Sequence, residues 1–166
     1  MSLDMVHGYD YPDEIINLFN EYTAMLAEND PEFKIYLDIQ NYDDEIKDLK
    51  KKYGLPHGRL YLALYENKAV GCIALRKLDH KNCEMKRLYV RPEYRGRKIG
   101  HELVLKIIED AKDIGYKYML LDTLPFLETA IKMYRDLGFY DIPPYNDSPI
   151  DNTIFLKLDL DDIASV

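Results

Sequence analysis

Hydrophobic positions change their period along the chain, and the changes mark its elements. Ile15, Leu18, Phe19, Tyr22 and Leu26 recur at helical spacing behind Pro12, Asp13 and Glu14, residues that suit a first helical turn. A second helix is expected from Tyr42 to Tyr53, with Ile46 and Leu49 inward and Gly54 as its stop. Three strand-like runs follow: Arg59–Tyr65, Val70–Leu78 and Cys83–Val90. The turns between them, Glu66-Asn67-Lys68 and Asp79-His80-Lys81-Asn82, are short, which makes the three an antiparallel meander. The period then becomes helical again. Ile99, Leu103, Ile107, Ala111 and Ile114 share one face, and Gly115 ends it. Tyr118–Thr123 reads as a short strand, Leu127, Ala130, Ile131, Tyr134 and Leu137 as the face of another helix closed by Gly138, and Thr153–Leu158 as a last strand. A strand–helix–strand unit cannot close as a hairpin, so its two strands lie parallel or apart. The pattern predicts an α/β chain with a mixed sheet and helices on its faces.

Composition adds limits. At 166 residues with 47% hydrophobic positions, the chain is long enough for one domain with its own core, expected over residues 1–166. Its 15 tyrosines bring hydroxyls that need partners when buried; most are expected at the surface edge. The net charge of −8 argues against sequence-independent nucleic-acid binding. Cys72 and Cys83 fit neither a disulfide framework nor a metal spacing, and the four histidines add no ligand cluster, so no metal is expected. A reduced, cytoplasmic protein is expected, with no membrane association, since no apolar run is long enough to span a bilayer.

Charge is unevenly spread. Residues 1–50 carry thirteen Asp and Glu against three Lys, which suits a cationic partner such as an amine. Residues 86–98 reverse the balance: Lys86, Arg87, Arg91, Arg95, Arg97 and Lys98 stand against Glu93 alone. Within that stretch, Arg95-Gly96-Arg97-Lys98-Ile99-Gly100 lies between a strand and a helix start. A helix N-terminus offers unpaired N–H groups and the positive end of its dipole, and glycine lets a phosphate come close. The segment reads as a pyrophosphate cradle, or else as a solvated basic loop. Neither GxxxxGK[ST] nor GxGxxG is present.

At this point the chain resembles the GNAT superfamily of N-acetyltransferases, in its small bacterial-type form. Arg95 and Gly100 match the ends of the Gln/Arg-x-x-Gly-x-Gly/Ala signature, with Lys98 where the inner glycine is usual. Lys86–Tyr94 looks like the family's strand and entry segment. Ala130, Tyr134, Gly138 and Phe139 look like its second cofactor-binding helix, with Leu127 where an asparagine is often found. The likeness covers about Leu60 to Leu158 and is weak over the N-terminal helices.

The resemblance implies the acyl-CoA N-acyltransferase fold, a central mixed, mostly antiparallel sheet with helices on both faces. It implies acetyl-CoA as cosubstrate and a small-molecule or peptide amine as acceptor, by direct attack on the thioester. A homodimer is left open, as are another acyl group, a protein-lysine acceptor and a non-catalytic acyl-CoA sensor. The cofactor-binding set it implies is Leu88, Tyr89, Val90, Arg95, Gly96, Arg97, Lys98, Ile99, Gly100, His101 and Tyr134. Leu88 and Val90 would pair their backbone with the pantetheine arm, and the N–H groups from Arg95 to His101 would take the pyrophosphate. Tyr134 matches a position from which a phenol protonates the departing thiolate; otherwise it is core. Glu84, eleven residues before Arg95, matches the spacing of a general base, useful if burial raises its pKa; otherwise it is a solvent-facing strand residue, with water as the base.

Overall fold

A computed structural model describes residues 2–162; residues 1 and 163–166, the ends of the expected domain, lie outside the described residues. The elements run β1 (Leu3–His7), α1 (Pro12–Asn29), α2 (Phe33–Ile39), α3 (Tyr42–Lys47), α4 (Leu49–Tyr53), β2 (Arg59–Tyr65), β3 (Lys68–Lys77), β4 (Asn82–Val90), α5 (Ile99–Ile114), β5 (Tyr118–Thr123), α6 (Glu128–Asp136), β6 (Tyr140–Asp141) and β7 (Ile154–Asp159). The strands form one sheet in the order β1-β2-β3-β4-β5-β7-β6. Every neighbouring pair is antiparallel except β4 and β5, which α5 joins in parallel.

Strand residues alternate between two cores. On one face, Leu103, Ile107 and Ala111 of α5 and Tyr134 of α6 pack on Ile73, Leu75, Met85 and Met119. On the other, Ile15, Leu18 and Phe19 of α1 and Tyr53 of α4 pack on Leu60, Leu62, Cys72 and Ala74. A smaller cluster of Leu26, Phe33, Tyr36, Leu124 and Ile150 ties α2 to the loops around β5 and β7.

Five features differ from expectation. β1 is a strand because the edge of β2 pairs with it, a contact that a five-residue pattern does not announce. α2 and the two-residue β6 are likewise additions. The expected Tyr42–Tyr53 helix is two helices: Asp48 leaves helical geometry and its carboxylate accepts from Lys51 N–H (3.3 Å), capping α4. Several tyrosines, Tyr36, Tyr53, Tyr61 and Tyr116 among them, are buried in the core rather than set at its edge.

The feature that positions the site is a bulge in β4. Cys72 pairs with Tyr89 and Ala74 with Lys86, so Arg87 and Leu88 together oppose Ile73. Arg87 takes φ +61°, a left-handed conformation costing a side-chain-bearing residue about 1–2 kcal/mol. Its buried guanidinium is held by Glu45 of α3 (Nε to Oε2 2.9 Å, Nη2 to Oε1 3.0 Å) and lies 5.3 Å from the Tyr42 ring centre. Burial alone would raise the Glu45 pKa. The charges of Arg87 and of Lys52, 2.7 Å away, outweigh it and hold the carboxyl at about 2. β4 leaves β5 just ahead of the bulge: the parallel pairing covers only Asn82, Cys83 and Glu84, opposite Tyr118, Met119 and Leu120.

Candidate active site

The gap between the parted strands opens into a cavity of about 820 Å³, walled by α1, α2, β4, the loop into α5, β5 and α6. On its β4 wall, Arg91 N–H donates to Val70 O (2.8 Å) on β3. Alternation then turns the main-chain groups of Val90 toward the opened side. Val90 O accepts from Arg95 Nε at 3.0 Å.

One end of the cavity is the start of α5. Arg95, Gly96, Lys98, Ile99, Gly100 and His101 line it, as do Leu88, Tyr89, Val90 and Tyr134. Arg97 does not: its guanidinium lies over Tyr65 (5.1 Å) and Tyr94 (5.7 Å) and donates to the Tyr65 hydroxyl (3.1 Å). That corrects the expectation for its side chain, which these two rings draw away from the cavity. Lys98, the N-cap of α5, adopts φ +62°, the geometry for which the family's usual glycine is suited. Gly100 is informative for the opposite reason. It is the second residue of α5, and a Cβ added there would meet only Val90 Cγ2, at 3.7 Å, so packing does not require glycine at this point. Its absent side chain leaves open space beside unpaired helix N–H groups, which fits the pyrophosphate of CoA.

Tyr134 lines the cavity, 5% exposed and packed on Phe139 (5.6 Å between ring centres). Burial, and then the neighbouring Tyr22, raise its pKa, so the phenol keeps its proton at neutral pH. Glu84 is neither solvent-facing nor among the cavity-lining residues. It is 2% exposed, accepting from Arg76 Nε and from the Tyr145 hydroxyl, both at 2.6 Å, with Lys86 Nζ at 4.0 Å. Burial raises its pKa, but the charges of Lys86 and Arg76 and the two hydrogen bonds outweigh that, and the net shift is downward. The expectation of a carboxylate made basic by burial is thus corrected by its cationic neighbours.

The other end of the cavity is built from residues to which the sequence analysis gave no catalytic or binding role. Lys86 Nζ donates to Gln40 Oε1 at 2.7 Å. Across the gap, Asp122 Oδ2 accepts from the Tyr36 hydroxyl and from Asn146 Nδ2 (2.7 Å). Asn146 also donates to the Tyr36 oxygen (2.9 Å). The acidic N-terminal half contributes Tyr22, Met25, Leu26, Asn29, Phe33, Tyr36 and Gln40 to the walls but no carboxylate. Among the described residues, no group of three or more His, Cys, Asp or Glu is placed to hold a metal ion, and no helix is long and apolar enough to cross a membrane.

Known proteins resemble this chain in sequence and in fold. The Acetyltransferase (GNAT) family model matches residues 15–139. An uncharacterized N-acetyltransferase of Schizosaccharomyces pombe is 41% identical over 143 residues, covering 85% of this chain and 88% of its own. Among solved structures, a GNAT-family acetyltransferase from Staphylococcus aureus superposes with a TM-score of 0.75 at 24% identity, covering 96% of this chain and 99% of that one. An N-acetyltransferase from Thermoplasma acidophilum, solved in complex with coenzyme A, gives 0.70 at 17% identity, with coverages of 96% and 99%.

Proposed function

The chain belongs to the GNAT acetyltransferase family, and on that premise we propose that it acetylates a primary amine from acetyl-CoA in the gap between β4 and β5. The observation that carries the assignment of the site is the parting of the parallel strands beside a glycine-bearing basic helix start. Acetyl-CoA supplies an activated thioester; the coenzyme A in the Thermoplasma acidophilum structure supports that choice of donor.

The residues divide the work. Main-chain N–H groups at the start of α5 hold the pyrophosphate, with Arg95 and Lys98 adding positive field. The opened backbone of Leu88 and Val90 aligns the pantetheine arm, and one of their N–H groups stabilises the oxyanion that develops as the amine attacks. As the carbon–sulfur bond breaks, Tyr134 donates its proton to the thiolate. The proton lost by the amine passes to water. Glu84 acts as a positioning residue, fixing Tyr145 and Arg76 behind the gap. The two buried free thiols, Cys72 and Cys83, support a reducing compartment such as the cytoplasm.

The test has two arms. At a hundredfold excess over its Kd, acetyl-CoA stabilises the fold by about 2.7 kcal/mol, a melting shift of about 5–10 °C. ATP, which lacks the pantetheine arm, shifts it much less. Amine-dependent release of free thiol from acetyl-CoA then separates an enzyme from a sensor. Equal shifts from both nucleotides would reduce the loop to a general anion patch.

A further inference from the structure

Two opposite charges face the acceptor end of the cavity, and they do not pair with each other. Lys86 on β4 and Asp122 on β5 each stand two residues beyond the last paired position, Glu84 opposite Leu120, so both project from the same face of the sheet where the strands part. Both line the cavity, and no ion pair joins them among the described residues. The Lys86 side chain is 8% exposed. Its ammonium has three donors, and the described residues take one, through Gln40; Glu84 at 4.0 Å is beyond hydrogen-bonding range. On Asp122, Oδ2 receives Tyr36 and Asn146, which fix the carboxylate, while Oδ1 has no hydrogen-bond partner among the described residues.

Charges in the wider cluster are unevenly paired. Arg76 and Lys86 share the one carboxylate of Glu84, Arg87 and Lys52 share that of Glu45, and Asp122 has no ion-pair partner among the described residues. A buried charge without its counterpart is costly, and burial pushes the Lys86 pKa below its ordinary value despite Glu84. A ligand carboxylate would give Lys86 a counter-charge that it does not share with Arg76. A ligand bringing one ammonium would meet Asp122.

We propose that the acceptor is a free amino acid, its carboxylate bound by Lys86 and its amine directed by Asp122, rather than an uncharged or polycationic amine. This rests on the acetyl-transfer reading above and deepens it. An amine without a carboxylate leaves the buried Lys86 ammonium with Gln40 and a shared Glu84 alone. A lysine within a protein brings a cation but no carboxylate beside it.

The first measurement needs only the unaltered protein. Thiol release from acetyl-CoA is followed with each of a set of free amino acids, with the corresponding amino-acid amides, and with polyamines. At least one amino acid is expected to exceed its amide in kcat/KM by about ten- to a hundredfold, the range of a charge-assisted hydrogen bond. Lys86→Met should collapse that ratio toward one, and Lys86→Arg should restore part of it. Asp122→Asn should lower amino acid and amide alike. Amides or polyamines that match the best amino acid overturn the proposal, with or without a folded Lys86→Met protein, and so does a ratio that Lys86→Met leaves unmoved. If acetyl-CoA stabilises the fold but no free amino acid is turned over, the amino-acid assignment alone fails. If acetyl-CoA gives no stabilisation and no amine releases thiol, the acetyl-transfer reading fails with it.

Discussion

At the proposed donor end of the cavity the lining residues come from one short run, Arg95–His101 without Arg97, and offer main-chain N–H groups, two glycines and exposed cations. At the acceptor end the groups offered are side chains, held in place by hydrogen bonds, and they come from α2, β4, β5 and the loop before β7. A backbone cradle recognises what every acyl-CoA shares, and a short motif suffices to build it. A side-chain pocket recognises what distinguishes one amine from another, and it needs the whole fold to assemble it. Between them lie the bulge at Arg87 and the phenol of Tyr134, which neither end owns.

Tyr134→Phe tests that seam and carries the largest expected effect. The ring is kept, so packing on Phe139 survives and acetyl-CoA affinity changes little. Loss of the proton donor should lower kcat by roughly 10²–10⁴-fold in a steady-state thiol-release assay. Full activity would make Tyr134 a core residue and hand thiolate protonation to water. The comparison would then have no shared catalytic group at its centre.

How much was legible follows the same division. The meander, the α5 crossover and the Arg95–Gly100 turn are local or periodic, so the order of residues carries them. Tyr36 and Asp122 are 86 positions apart, and Asn146 lies 110 beyond Tyr36; no spacing rule joins them. Glu45 reads as one more acid on an acidic helix. Only the fold reveals that it is 4% exposed and paired with Arg87, 42 positions away. Lys86 belongs by sequence to the basic run around the phosphate loop, but its register on β4, two residues beyond Glu84, sets it opposite Asp122. Glu84 matched a spacing, yet the cations that depress its pKa come from a neighbouring strand position, Arg76, and from its own strand.

The next largest effect bears on the bulge. Glu45→Ala leaves Arg87 buried without its counter-charge, at an expected cost of about 3–5 kcal/mol and a fall in Tm of about 6–20 °C. Because Glu45 belongs to the acceptor side while the bulge shapes the donor strand, acetyl-CoA affinity should fall too. The pH dependence fixes the cause. Glu45 holds a folded pKa of about 2 against an ordinary value of 4.5. A carboxyl depressed in this way stabilises the fold above pH 4.5, and the contribution is lost as pH falls toward 2. Denaturant titrations should therefore show the gap between parent and variant narrowing over that interval. A constant gap would indicate lost packing instead of lost charge.

Gly100→Asp acts on the donor end alone. A Cβ at this position would be in ordinary contact with Val90 Cγ2 at 3.7 Å, so the fold should hold. The added carboxylate would face the phosphates, and acetyl-CoA affinity should fall by about a hundredfold or more, as like charges brought together cost several kcal/mol. Calorimetric titration measures this directly. Unchanged affinity would move the pyrophosphate away from the start of α5.

Lys98→Gly has the smallest expected effect and separates backbone from side chain most sharply. At φ +62° the lysine carries a left-handed strain of about 1–2 kcal/mol, which glycine removes. Glycine also gains about 0.5–1 kcal/mol of freedom in the unfolded chain, which offsets part of the gain. The net expectation is a stabilisation of about 0.5–1 kcal/mol, or about 1–4 °C in Tm for a chain of this length. Affinity for acetyl-CoA decides what the donor end is made of. If the main-chain N–H groups hold the pyrophosphate, affinity should stay within about threefold, since an exposed lysine at the rim adds little beyond a screened field. If the ammonium is itself a phosphate ligand, the loss should be about tenfold or more, the worth of a charge-assisted hydrogen bond. That result would make the donor end depend on a side chain as the acceptor end does, and the contrast between them would rest on sequence distance alone.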